Sequence, residues 1–89
     1  MPRFTRYKGI VIYFFFEDKQ KHHLPHFHAY YAEFEASIGL NGKVLSGYLP
    51  AKQLKTIQKL LEIHHRDFQE AWNLAVAGKA FKQVIIKGV

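Results

Sequence analysis

Two histidines flank an aromatic residue at His26-Phe27-His28, inside the run Pro25-His26-Phe27-His28-Ala29-Tyr30-Tyr31. In an extended chain, side chains alternate between faces, so both imidazoles share one side, about 6.5 Å apart at the backbone. Such a pair can serve a common ligand in two ways. As metal ligands, neutral imidazoles need a third donor, and His22 or His23 in the preceding segment, or Glu35 further on, is in position to complete an open site for a divalent ion such as zinc. Water on such an ion would be acidified and hydrolysis favoured. Without metal, one neutral and one protonated imidazole act as base and acid on a phosphodiester, helped by a nearby lysine. The plain reading stands beside both: His26 and His28 hydrogen-bond locally and do no chemistry. The sequence contains no glycine-rich phosphate loop and no Ser-His-Asp or Cys-His arrangement, so catalysis lacks an obvious anion stabiliser.

The elements that must position these residues follow from the hydrophobic pattern. Gly9 to Glu17 is rich in Ile, Val, Tyr and Phe and reads as the first strand. The polar segment Asp18 to Pro25 is a loop. Residues 26–31 and 34–39 form an expected hairpin with a two-residue connection at Ala32-Glu33. That register pairs Tyr31 with Phe34, Ala29 with Ala36 and Phe27 with Ile38 on an apolar face. The other face carries His26, His28, Tyr30, Glu35 and Ser37, with Tyr30 opposite Glu35 and His28 opposite Ser37. Asn41-Gly42 is a strong turn signal leading into a strand from Lys43 to Tyr48. The expected sheet is a four-stranded antiparallel meander.

After Leu49-Pro50 the period lengthens to about 3.6. Leu54, Ile57, Leu60, Leu61 and His64 form one stripe, with Lys52, Lys55 and Lys59 away from it. Phe68, Ala71, Trp72, Ala75 and Val76 repeat the spacing after Asp67, an expected N-cap, and Gly78 is placed to end the helix. The expected fold is α+β, one domain over residues 1–89, with two helices packed on one face of the sheet. The tail from Phe81 to Val89 either adds a short edge strand or stays extended.

Composition narrows the class. The 89 residues contain eight Phe and five Tyr, enough apolar area to fold without metal or cross-links, and no Cys, which excludes disulfides and thiolate zinc sites. The longest apolar run, Ile10 to Phe16, is too short to span a bilayer and lacks a signal-peptide cleavage pattern, so a cytoplasmic protein with no membrane partner is expected. The formal charge is +6. The basic residues are dispersed, so the surplus serves solubility or an anionic partner equally well. Lys52, Lys55 and Lys59 are the nucleic-acid candidates, and Tyr30 on the histidine face is a candidate for base stacking, as in sheet-based RNA binders that stack bases on tyrosine and phenylalanine.

Four motifs together resemble a known family: Gly-Ile-x-Ile at Gly9 to Ile12, Pro-His-Phe-His-Ala at Pro25 to Ala29, Gly-x-Leu-Pro at Gly47 to Pro50, and Trp-x-x-Ala at Trp72 to Ala75. The chain is similar to the prokaryotic domain-of-unknown-function family numbered 4160. The resemblance implies His26 and His28 as the marked positions, with His22 where the family often has a further histidine. Leu24 stands in place of the first of two usual prolines. Members are commonly encoded beside another small domain, and some carry regulatory or toxin-antitoxin-like labels. The leading expectation is therefore a small binding protein, one component of a two-protein regulatory or toxin-antitoxin-like module, with His22, His26, His28, Tyr30 and Glu35 facing the partner. The alternatives are a metal-dependent or histidine-dependent hydrolase of phosphodiesters and a structural or interaction protein with no catalytic role. Exposed strand edges also make a homodimer an expectation.

Overall fold

Alternating side chains build a five-stranded antiparallel sheet in the computed structural model, which describes residues 3–15 and 24–86. The strands are β1 (Arg3–Tyr7), β2 (Ile10–Tyr13), β3 (His26–Tyr31), β4 (Phe34–Gly39) and β5 (Val44–Tyr48), and they pair in chain order. Two helices follow, α1 (Ala51–Ile63) and α2 (His65–Val76). The α+β class and the meander are as expected, but the sheet has five strands rather than four. Lys8 and Gly9 have φ of 49° and 80°, which suits a tight two-residue hairpin turn, and β1 folds back through it onto β2. Regular pairing of β2 ends at Tyr13, short of the expected Glu17; residues 16–23, including most of the expected loop, lie outside the described residues.

The β3–β4 register is the one the alternation dictates: Phe27 faces Ile38, Ala29 faces Ala36 and Tyr31 faces Phe34, while His28 faces Ser37 and Tyr30 faces Glu35. The turn at Ala32-Glu33 closes with Ala32 at φ 51°. At the next turn the Gly42 N–H donates to the Gly39 carbonyl (2.9 Å), and the Asn41 side chain accepts from the Lys43 N–H (3.0 Å). The pairing of β4 with β5 then shifts between Ser37 and Ile38, a bulge that leaves one extra residue in β5.

Ile12, Phe14, Phe27, Ala29 and Ile38 from the sheet join Ile57, Leu60 and Leu61 of α1 and Phe68, Ala71, Trp72 and Ala75 of α2 in one buried cluster. Phe68 is its centre, with ring centroids 4.8 Å from Phe4 and 5.2 Å from Phe27. The expectation of two helices on one face is not met. On α2, Phe68 meets Phe27, but Trp72, one turn later, meets His26, a neighbour of opposite parity, so this helix reaches around the start of β3. A single residue, His64, breaks the helical path between α1 and α2. It is also the N-cap of α2, so Asp67 is not the cap. Asp67 lies in the first turn instead, its carboxylate 3.6 Å from His64 Nδ1.

Gly78 ends α2 at φ 72°, where its N–H donates to Ala75 and the Lys79 N–H donates to Leu74, a paired closure that a glycine permits without strain. Beyond it, no residue from 79 to 86 is in a regular strand. The segment is nonetheless tied to the edge of β1: the Val84 N–H donates to the Phe4 carbonyl (2.8 Å), and the Thr5 hydroxyl donates to the Val84 carbonyl (2.6 Å).

Candidate functional site: the open face of the sheet

Cross-strand partners stand on the same side of a sheet, so the register assembles the face opposite the apolar one. One row runs Arg3, Tyr13, His28, Ser37 and Ser46; the next runs Arg6, Val11, Tyr30, Glu35 and Tyr48. Glu35, Ser46 and Tyr48 are exposed, and Tyr13, Phe15, His28 and Tyr30 are half-buried. The aromatic side chains interlock. Tyr13 and Phe15 lie nearly parallel (20°), while Tyr30 stands at 85° to Tyr13 with centroids 5.4 Å apart and His28 at 79° to Phe15 with centroids 4.4 Å apart. Edge-to-face contact of this kind holds rings in place at the surface.

The two histidines have different surroundings. Their rings are 5.5 Å apart, as a shared face requires. His26, however, is only 1% exposed, with Trp72 of α2 packed 5.1 Å from it. Its Nδ1 lies 2.9 Å from the Leu24 carbonyl, and because a carbonyl only accepts, Nδ1 carries the proton. His28 keeps access to solvent. Its Nδ1 is 3.2 Å from the Ser37 hydroxyl, at the wall of a hollow of about 240 Å³ lined by His28, Glu35, Ala36, Ser37, Ser46 and Gly47.

His22 and His23 lie outside the described residues. Among the described residues, no three His, Asp or Glu side chains converge on a point where a metal ion would sit. Lys52, Lys55 and Lys59 are exposed along α1, whose buried side is Ile57, Leu60 and Leu61, so the lysine stripe and the open sheet face are separate surfaces. No helix among the described residues is long and apolar enough to cross a membrane.

Burial pushes the Tyr30 phenol above its ordinary value near 10, and the Glu35 carboxylate adds to this by its charge and by accepting the phenolic hydrogen bond; Tyr13 contributes least. The native protein therefore holds a proton that the unfolded chain releases near pH 10. This contribution is fully present below pH 10 and is lost as pH rises through the folded value. Urea unfolding between pH 9 and 11 is expected to show a shallower alkaline loss of stability in Tyr30→Phe than in the parent, and equal slopes would refute the upward shift of the Tyr30 phenol.

Tyr13, Phe15, Ser46 and the arginines of β1 also belong to this face. A signal was present in β2: Ile10, Ile12 and Phe14 are buried, and Val11, Tyr13 and Phe15 alternate with them. Tyr31, by contrast, packs against the core.

A family model described as a domain of unknown function (DUF4160) matches residues 9–73, from the turn before β2 to the last turn of α2. No curated protein and no solved structure matches the chain.

Proposed function

Starting from the fact that the chain belongs to the DUF4160 family, whose description names no activity, we propose that it is a small binding protein that holds a protein partner on its open sheet face, as one component of a two-protein regulatory module. The observation that carries this is the interlocked set of Tyr13, Phe15, His28 and Tyr30, half-exposed on a face that, among the described residues, α2 meets only at His26. Preformed aromatic side chains lose little entropy on binding and supply most of the energy at protein interfaces, where Tyr and Arg are the commonest anchors. A protein partner fits better than a nucleic acid, because Glu35 sits among these rings and would repel phosphate. Catalysis fits less well than binding. His28 and Ser37 are within 3.2 Å, but both lie in strands paired on each side, so their backbone N–H groups are committed to the sheet and not to an oxyanion.

The test is affinity for the small protein encoded beside members of this family. Combined replacement of Tyr13 and Tyr30 by alanine is expected to weaken that complex by about 500-fold or more, since interface hot spots cost roughly 2 kcal/mol each. His28→Ala is the appropriate histidine variant, because replacing buried His26 would disturb the fold as well. Unchanged affinity in the tyrosine variant, with its fold intact, would sink the proposal. Affinity that falls steeply with salt would point instead to a phosphate-bearing partner.

A further inference from the structure

We propose that the hollow beside Glu35 receives an arginine side chain of the partner. This rests on the binding-protein reading and names the chemistry of its anchor. Glu35 is the only acidic residue in the five described strands, in a chain whose formal charge is +6. It is exposed, its cross-strand neighbours are Tyr30 and Tyr48, and among the described residues no Lys or Arg pairs with it. Arg3 and Arg6 share the face but lie three strands away on β1. At about 4.8 Å per strand they are roughly 14 Å distant at the backbone, beyond the screening length of about 8 Å at physiological salt. Among the described residues, then, no cation lies close enough to neutralise this carboxylate.

The rest of the hollow suits a guanidinium more than an ammonium. Glu35, Ser37 and Ser46 all line it, and a guanidinium offers five donors in a rigid plane that match a carboxylate two at a time. Tyr30 stands directly across from Glu35 on β3, on the same face. The Tyr30 ring, on the strand beside Glu35, is the aromatic group placed to meet the planar cation. The β4–β5 bulge shapes the site, since it sets Ser46 opposite Ser37 and brings Gly47 to the rim.

The experiment is an NMR titration of the full chain with N-acetyl-arginine amide, beside its neutral isostere N-acetyl-citrulline amide. The expected result is saturable shifts at Tyr30, Glu35, Ser46 and Gly47 with the arginine compound, little response to citrulline, and about tenfold or greater weakening in Glu35→Gln. Equal responses to the two compounds, or no effect of Glu35→Gln, would overturn the proposal. A second arm measures the neighbouring-gene protein against Glu35→Gln. Tight binding that ignores this variant overturns the arginine anchor and leaves the binding-protein reading standing. If that protein binds no variant at all, the partner reading fails, and the arginine titration still decides the hollow.

Discussion

Phe68→Ala is expected to remove about 3–5 kcal/mol of stability, the usual cost of truncating a buried phenylalanine. Phe68 is fully buried, and its ring touches Phe4 of β1, Phe14 just beyond β2 and Phe27 of β3. One side chain thus joins α2 to three successive parts of the sheet. A cavity there cannot be refilled cheaply, because the surrounding rings already brace one another: Phe4 and Phe14 are edge-to-face at 5.2 Å. Native stability for a domain of this size is on the order of 5–13 kcal/mol, so the variant should lie close to its unfolding threshold. Urea denaturation followed by tryptophan fluorescence measures it, and a loss under about 1 kcal/mol would mean that α2 is not held to the sheet through this residue.

Gly47→Ala is expected to cost about 2–6 kcal/mol, with the damage beginning in β5. Two penalties combine. Gly47 has φ of 81°, a conformation that costs a non-glycine residue about 1–3 kcal/mol. A Cβ there would also press into the Glu35 carbonyl oxygen and come within 2.8 Å of Ala36 Cα. These are backbone atoms of the neighbouring strand, so relief requires β5 to move away from β4, and overpacking adds roughly 1–3 kcal/mol. Hydrogen exchange should show the amides of β4 and β5 losing protection before those of β2 and β3. Loss of the arginine response should accompany it, because Ser46 and Gly47 line the hollow beside Glu35. Uniform protection together with stability within about 0.5 kcal/mol of the parent would contradict this account.

The β3–β4 hairpin was legible because period-two alternation admits one register: a slip by one residue would turn Phe27, Ala29, Ala36 and Ile38 outward. The buried stripe of Ile57, Leu60 and Leu61 and the stop at Gly78 were legible for similar reasons, since a 3.6-residue period and a residue tolerant of positive φ leave local marks. β1 was not legible. Its bulge between Arg3 and Thr5 lets Phe4 and Thr5 both point inward, so Arg-Phe-Thr-Arg-Tyr shows no alternation, and its turn is Lys8-Gly9 rather than a stronger Asn-Gly signal. The start of α2 was not legible either, because Asp67 is the better cap by residue type, yet the helix begins at His65 with His64 as its N-cap.

Within the open face, the sequence by itself determined which residues share a side: His26 with His28, Tyr30 beside Glu35, and His28 beside Ser37. Parity is a property of the local backbone and needs no other element. Only the tertiary structure decided that Trp72 would close over His26 while His28 stayed accessible, that Tyr13 and Phe15 would stand among the β3 rings, and that Ser46 would complete a hollow at Glu35. Those outcomes depend on the approach of α2, on a strand pairing across residues 16–23, and on a bulge between β4 and β5. Each joins segments distant in the chain, and distance in the chain is where local pattern loses its hold.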